Sequence, residues 1–360
     1  MQHEQILAFR LARSGLADRA ARGLAEAAAC PASDFSRDAA LLALAARLDG
    51  LTRDRYDEAV DGGDLVVAHI VRGAIHALAP QDLALYGRRL ISGNEHELGQ
   101  QLGQQVQRLA AEKGFAPTEA LQEVAEATKD VLGGGRALDK NELHAELRER
   151  VRADLMPWCK GCGSHHVAPM LWRYGSVKAG TRLDSRRRYV LGRPGGAPAA
   201  TEAVRRFLHF YGPATSGDFA EWAGLAKPHA QRLWTDCSDI EGDLEEVSVG
   251  TRTVWVLRDD AAALASPPAA AGIRLIPPGD PYLQKPTARS SPPRPSCASG
   301  WRRRSASPTC AVPPRRSWSS SERAKSAWPV RGRQRYGAAT RLLRMVVSDV
   351  PSADRRQTGG

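Results

Sequence analysis

No segment of this 360-residue chain approaches the run of about 18 apolar residues that a membrane-spanning helix needs. The N-terminus, residues 1–5, has no basic stretch followed by an apolar core, so it does not resemble a secretory signal peptide. The six cysteines are scattered and do not form the framework of a disulfide-stabilised protein. We therefore expect a protein of the reducing cytoplasm that has no contact with a membrane.

The positive charge of the chain is concentrated at its C-terminal end. The sequence holds 51 Lys and Arg against 40 Asp and Glu, a net charge of +11. Residues 286–360 hold 16 basic and 3 acidic residues, a net of +13, which leaves 35 basic and 37 acidic residues in 1–285, a net of −2. The excess that would normally indicate a polyanion partner thus belongs to the last 75 residues.

That basic segment is rich in Arg, Ser and Pro, and Lys325 is its single lysine. Apolar periodicity is absent apart from 342–347, so the segment buries too little apolar surface to offset its chain entropy. We predict that 286–360 is disordered. One interpretation is a basic arm that binds DNA. We favour another, because the abrupt change after Gln284 is typical of GC-rich coding DNA translated out of frame, with the native C-terminal part lost.

Residues 201–256 carry the pattern of a helix, a helix-turn-helix and a β-hairpin. Gly212-Pro213 ends the first helix, Gly224 is the turn between the next two, and Gly250-Thr251 is the turn of the hairpin. The helices are predicted over 201–211, 217–223 and 227–234, and the hairpin strands over 244–249 and 254–256. This arrangement is a winged helix, which can place its last helix in a DNA major groove. The alternative is a small helical bundle that binds no nucleic acid.

The same order of helices and a hairpin recurs earlier in the chain. Helices are predicted over 6–16, 38–48, 53–60, 118–132, 140–151 and 167–176, with hairpins at 65–78 and within 180–191. The repeat is too irregular for a solenoid and fits diverged tandem modules better. The expected fold class is therefore α+β, mainly α, with tandem winged helix-turn-helix domains.

The predicted domains follow from this pattern. They are winged helix 1 with a helical extension at 1–115, winged helix 2 at 116–196, winged helix 3 at 197–262, the truncated start of a C-terminal β-barrel at 263–285, and the disordered, out-of-frame tail at 286–360.

Residues 207–225, F-L-x-x-Y-G-P-A-T-x-x-D-F-A-x-W-A-G-L, resemble the winged-helix family that includes the AlkZ-type bacterial DNA glycosylases for interstrand crosslinks and bulky alkyl adducts. The stretches 71–82 and 277–282 resemble that family as well, and the resemblance covers about 1–285. It implies tandem winged helices and a C-terminal barrel curved around double-stranded DNA. It also implies hydrolysis of an N-glycosidic bond without a metal or organic cofactor. We expect the protein to be a monomer.

The resemblance further implies a Gln-apolar-Gln or Gln-apolar-Asp motif just before the helix at 40–48. Its polar groups would position a water and stabilise the oxocarbenium-like sugar as the base departs. This chain has Ser-Asp-Phe at 33–35 instead, and no Gln lies between Gln5 and Gln81.

Asp34 is therefore the one candidate catalytic residue, because its carboxylate could orient or deprotonate a water. Considered without the resemblance, Asp34 is better explained as the N-cap of a helix that starts near Ser36 or Arg37.

The candidate DNA contacts are polar residues of the predicted recognition helices and hairpins. They are Arg72 and His76 in the first module, His166, Arg173 and Arg187 in the second, and Lys227, His229, Gln231 and Arg232 in the third.

Cys159 and Cys162 form a C-x-x-C pair, which is half of a zinc site because that spacing lets two thiolates reach one tetrahedral ion. His165 and His166 follow closely, but adjacent histidines do not both reach one ion, and we name Cys159, Cys162 and His165 as weak candidates. No second C-x-x-C or H-x3-H pair completes the set. We expect a loop without metal that leads into the second recognition helix.

Two functions remain open at this point. The first is a DNA-repair glycosylase, which the resemblance over most of the chain favours. The second is a non-catalytic winged-helix DNA-binding protein with a regulatory role, which the missing Gln pair favours. We expect binding of double-stranded DNA with very weak or absent base excision.

The charge distribution predicts that the tail dominates binding to random DNA. Flexible Arg-rich chain binds any duplex by releasing counterions, so the full-length protein should bind random DNA with a steep salt dependence. A chain that ends at residue 285 should bind the same DNA far more weakly at physiological salt. Equal affinities in a salt titration would rule out binding by the tail and assign the contact surface to the winged helices.

Overall fold

The structure is a computed structural model that describes residues 3–19, 23–36, 38–192, 196, 198–240, 242–269, 272–283 and 344–346. Residues 1–287 together with 342–360 form one compact unit. The second unit, 288–341, lies outside the described residues, as does the rest of the predicted disordered tail apart from 344–346.

Helices make up most of the described chain, as the predicted fold class requires. They are α1 (His3–Arg13), α2 (Leu24–Ala27), α3 (Ala39–Ala45), α4 (Arg53–Gly62), α5 (Leu83–Tyr86), α6 (Glu95–Lys113), α7 (Pro117–Leu132), α8 (Lys140–Arg148), α9 (Pro169–Ala179), α10 (Glu202–Tyr211), α11 (Ser216–Ala223), α12 (Lys227–Thr235) and α13 (Ala261–Ala265). The helices predicted from apolar spacing are present with ends shifted by a few residues. The helices α2, α6 and α13 were not predicted individually.

The strands form a modest amount of antiparallel sheet. They are β1 (Ala32–Ser33), β2 (Val66–His69), β3 (Ile75–Leu78), β4 (Trp158–Cys159), β5 (Ser164–His165), β6 (Thr181–Leu183), β7 (Tyr189–Leu191), β8 (Leu244–Val249), β9 (Arg252–Leu257), β10 (Arg274–Ile276) and β11 (Arg344–Val346). The largest sheet has the order β1-β3-β2-β6-β7. All three predicted hairpins are present, as β2–β3, β6–β7 and β8–β9.

Strand β2 joins the first two hairpins into one sheet, because Val67 pairs with Ala77 on one side and with Leu183 on the other. All four residues of β2 are buried. Val67 belongs to a core shared with α3, α4 and α6–α9, whereas Val66 and Ala68 belong to a second core shared with α10–α12. The strand thus lies between two hydrophobic cores, which explains its continuous apolar sequence.

The third hairpin packs close to its own helices. Trp255 of β9 exchanges backbone hydrogen bonds with Ala214, in the loop between α10 and α11. Helix α11 begins with a capping box, in which the Thr215 side chain accepts from the Asp218 amide and the Asp218 carboxylate accepts from the Thr215 amide. This local chemistry fixes where the second helix starts.

The segment at 263–285, predicted as the start of a barrel, does not form a closed barrel in the described part of the chain. Its strand β10 pairs with β11 alone. The segment is anchored by a buried ion pair, in which the Arg47 guanidinium donates to both carboxylate oxygens of Asp280 at 2.8 Å. Arg47 also donates to the backbone oxygens of Ser14 and Ala43.

None of the helices in the described residues is both long and apolar enough to cross a membrane.

The Arg47–Asp280 pair predicts a large effect of a small substitution. The side chains are 2% and 0% exposed, so Asp280→Asn leaves the Arg47 charge buried without its counter-ion. We expect a loss of about 3–5 kcal/mol in the free energy of unfolding, measured by urea denaturation. The matched control is Asp49→Asn, which removes the exposed partner of Arg19 and should change stability by less than about 1 kcal/mol. Equal effects of the two substitutions would contradict the prediction.

Candidate nucleic-acid interface

Asp34 lies directly after β1, and its amide donates to the backbone oxygen of Ile75 at 2.8 Å. The side chain is buried, and both carboxylate oxygens have partners. Oδ1 accepts from the Ala40 amide in the first turn of α3 at 3.4 Å, and Oδ2 accepts from the Arg187 guanidinium. Helix α3 starts at Ala39, later than expected, and the side chain of Asp38 at its N-cap position makes no capping hydrogen bond. Asp34 therefore accepts a hydrogen bond from the first turn of α3 although it does not occupy the N-cap position.

Arg187, a predicted DNA contact, comes from the turn between β6 and β7. Its φ of +64° lies in the left-handed region, which is uncommon for a side chain of this size. The turn is held by Asp184, which accepts from the Arg188 amide, and by Asp61, which accepts from Ser185. The turn thus holds the Arg187 guanidinium against the Asp34 carboxylate.

The carboxylate of Asp34 borders a cavity of about 30 Å³. The other charged or polar lining residues include Asp38, Arg53, Tyr56 and Arg187. Burial, with a contribution from the Asp34 charge, raises the pKa of the Tyr56 hydroxyl. A cavity of this size has room for about two waters, each of which needs about 10–15 Å³ of accessible volume, and is too small for a nucleobase.

The neighbouring residue Phe35 is 60% exposed and lies against the C-terminal segment. A Cβ atom on Gly279 would come within 2.5 Å of the Phe35 ring, so the ring packs on the backbone there. The stretch 33–35, where the family resemblance implies a Gln-containing motif, is therefore next to 277–283.

A broad open groove of about 1170 Å³ lies elsewhere, between the first hairpin, α6, α9, α11, α12 and the start of β9. Its charged lining residues are Arg72, Asp218, Glu221, Lys227 and Arg252. The groove thus brings together Arg72 and Lys227, which the sequence places in different modules.

Close backbone packing positions Arg72 at this groove. Gly224, at the turn between α11 and α12, has a φ of +69°, and a Cβ there would lie 2.6 Å from Arg72 Cγ. Only glycine suits both the left-handed conformation and this contact. Gly73 similarly approaches Arg173 of α9, where an added Cβ would lie 3.0 Å from Arg173 Cβ. The half-buried Arg173 therefore packs beneath the hairpin turn.

The four candidate DNA contacts on α12 have different surroundings. Lys227 and Gln231 face outward, with Gln231 Oε1 accepting from the Ser216 hydroxyl at 2.7 Å. Arg232 instead donates to both carboxylate oxygens of Glu97 on α6 at 2.7 Å, and these hydrogen bonds lower the pKa of Glu97 to about 2. His229 is half-buried, and burial lowers its pKa. Arg232 is thus exposed but paired with Glu97 of α6, and its contact with DNA stays a prediction.

His76 lies on β3 and is 3% exposed. Its Nδ1 is 3.1 Å from the backbone oxygen of Ala74, and burial lowers the pKa of the ring to about 4. An uncharged, buried imidazole does not suit a contact with DNA, so His76 is not part of the interface that we propose.

The cysteine pair lies on the small hairpin β4–β5. The ligand atoms of Cys159, Cys162 and His166 lie within 4.8 Å of one another. Hydrogen bonds from the His166 side chain and the Cys162 amide lower the pKa of the Cys159 thiol to about 7. His165 points elsewhere, with Nδ1 2.9 Å from the Met156 oxygen. His166, which we expected at the DNA, therefore lies with the two thiols, and the weak candidate His165 does not.

Sequence reasoning missed Arg252 and Glu97. Arg252 follows directly on the predicted Gly250-Thr251 turn, so its position at the tip of the hairpin could have identified it as a candidate DNA contact. Glu97 has no such signal, because its partner Arg232 is 135 positions away.

Comparisons with known proteins agree with this fold. A sequence profile of the family described as DNA glycosylase AlkZ-like matches residues 31–291, which is well over half of the chain. The chain belongs to the AlkZ-like DNA glycosylase family, and the resemblance recognised in the sequence is confirmed.

Two relatives are informative. An interstrand DNA cross-link repair glycosylase from Streptomyces sahachiroi is 26% identical over 305 residues, which cover 78% of this chain and 76% of that protein. The solved structure of the Streptomyces sahachiroi DNA glycosylase AlkZ has a similar fold, with a TM-score of 0.60 and 23% sequence identity. That likeness covers 79% of this chain and 78% of the other.

Proposed function

We propose that this protein binds double-stranded DNA through the groove between the first hairpin, α9 and the third module. Arg72, Lys227 and Arg252 supply three cations along it. Of the two carboxylates, Asp218 is buried, is engaged in the capping box of α11 and lies 4.0 Å from the Arg252 guanidinium, whereas Glu221 is exposed. Cations at a hairpin tip, a helix start and a wing are the elements with which a winged helix contacts phosphates.

The module organisation supports this proposal. Each of the three stretches 1–115, 116–196 and 197–262 contains helices followed by an antiparallel hairpin. We propose that these are three winged helices in tandem, acting as a monomer without an organic cofactor. In this arrangement α12 is the recognition helix of the third module, with its N-terminal residues Lys227 and Pro228 at the groove.

We further propose that hydrolysis of the N-glycosidic bond is very weak or absent. The observation behind this is that both oxygens of Asp34 are engaged, by Ala40 and Arg187, at a cavity that does not hold a base. A general base acts on a water that lies within hydrogen-bond reach of both the base and the bond to be broken, and a cavity of about 30 Å³ does not admit a nucleobase beside Asp34. By relationship to the cross-link repair glycosylase, the substrates of any residual activity are alkylated or crosslinked bases.

The second candidate function is a non-catalytic, sequence-dependent regulator. The small size of the Asp34 cavity favours it over an efficient enzyme, because binding through the groove needs no pocket for a base. It predicts a preference for particular sites in undamaged duplex.

The groove proposal predicts an effect of Lys227→Ala on the salt dependence of DNA binding. Loss of one phosphate contact should weaken binding to every sequence and reduce the slope of log K against log salt by about 0.9. Fluorescence anisotropy with a labelled duplex over a series of salt concentrations measures both the affinity and this slope. Every variant keeps the basic tail, so its contribution cancels between them.

Lys113→Ala is the matched control, since Lys113 lies at the other end of α6 from the groove residue Gln100. Arg232→Ala should lower stability without changing the slope, because its guanidinium is bound to Glu97. If Lys113→Ala and Lys227→Ala reduce the slope equally, the groove is not the DNA site.

The Asp34 geometry predicts that alkylated duplex yields almost no released base in a gel assay. An efficient glycosylase that lost one water-positioning group would slow by about 100- to 1000-fold. Here Asp34→Asn should leave the low background unchanged, because the cavity at Asp34 is too small to admit a base.

Asp38→Asn is the control for this experiment, since Asp38 lines the same cavity and carries the same charge. Circular dichroism checks that each variant is folded. Multiple-turnover excision that is lost in Asp34→Asn and kept in Asp38→Asn would refute the proposal and make Asp34 the base.

A further inference from the structure

The hairpin β4–β5 and the residues around it have the form of a metal-binding knuckle. Trp158 pairs with His165 and Cys159 with Ser164, so the two cysteines bracket a tight turn. The amides of Cys162 and Gly163 donate to the Cys159 backbone oxygen at 3.2 and 2.9 Å. Gly163 has a φ of +61°, a conformation that suits glycine and closes the turn.

The three candidate ligands are already close together. The donor atoms of Cys159, Cys162 and His166 lie within 4.8 Å of one another. A tetrahedral zinc ion with two thiolates and imidazole ligands holds its donor atoms about 3.4–3.8 Å apart, given Zn–S near 2.3 Å and Zn–N near 2.0 Å. Small side-chain rotations therefore suffice to bring the donors around one ion.

The His166 ring is oriented as a metal ligand would be. Its Nδ1 lies 2.8 Å from the Val167 backbone oxygen, which makes Nδ1–H the donor and leaves Nε2 for a metal. A backbone carbonyl on the second nitrogen is the usual support of a ligating histidine.

A fourth group is provided by helix α8. His144 is 8% exposed, and its ring centroid lies 5.2 Å from that of His166. Its Nδ1 is buried and finds no hydrogen-bond partner within the described ranges. Such a nitrogen is uncommon and calls for an explanation, such as an ion.

We propose that Cys159, Cys162 and His166 bind a structural zinc ion, and that the His144 side chain, which lies beside His166 but outside this close group, turns towards the ion to become the fourth ligand. Two thiolates and two imidazoles are a donor set that favours zinc over Mg²⁺ or Ca²⁺, which prefer oxygen. Binding replaces the two thiol protons by the metal without any change in oxidation state. The ion would connect the loop before α9 to α8. It would thereby fix the position of α9, which carries Arg173 and whose Met170 lines the groove.

The test is the zinc content of the full chain purified after growth with added zinc, measured by elemental mass spectrometry. Cys297 and Cys310 are replaced by Ser in every protein compared, so that tail thiols do not contribute. We expect one zinc per chain. Cys159→Ser and His166→Ala should each lower the affinity for zinc by at least about tenfold, measured by competition with a chromogenic chelator.

His165→Ala is the matched control, because it removes the adjacent imidazole, whose Nδ1 lies at the Met156 oxygen and not among the thiols. It should keep the full zinc content. Cobalt substitution provides a second readout on the unmutated ligand set, since two thiolates and two imidazoles give visible bands typical of tetrahedral cobalt. Zinc-free protein, a Cys159–Cys162 disulfide in freshly purified chain, or equal loss of zinc in His165→Ala and His166→Ala would overturn the proposal.

Discussion

The buried ion pair between Arg47 and Asp280 is the constraint on which the arrangement around Asp34 depends. Removing two charges from water is unfavourable, and here a two-pronged contact with two further hydrogen bonds from Arg47 offsets it. The pair joins three stretches that are distant in sequence: the end of α1, helix α3 and 277–283. Because α3 is held there, its first turn offers the Ala40 amide to Asp34, and Gly279 lies against Phe35.

The helices and hairpins could be predicted from the sequence because their signals are local. Helical spacing of apolar residues and glycine turns suffice for α10–α12 and for β8–β9. The joining of β2 to β6 was not predicted, since strand pairing between distant segments has no local signature. The continuous apolar sequence of β2 was the one available hint, because a strand exposed on one face would alternate. The three-module division stays a prediction.

The candidate site was predictable in part for the same reason. Arg72 and Lys227 were named from hairpin and helix positions, whereas the contacts of Arg187 and Arg232 with carboxylates in other modules depend on tertiary packing. The choice between His165 and His166 follows from strand geometry. His165 pairs with Trp158 in β4–β5 and meets that ring edge-on, and the next side chain along a strand points to the opposite face.

The position of β2 between two cores also bears on how the chain folds during synthesis. Val67 and Leu183 pair across 116 positions of sequence, a non-local contact of the kind that slows folding. After the first 115 residues have been made, β2 has β3 on one side and an unpaired apolar edge on the other. That edge is a template for pairing with another nascent chain until β6 emerges. Slower translation of the segment that contains β6 would therefore lengthen the exposure of β2 and favour aggregation over folding.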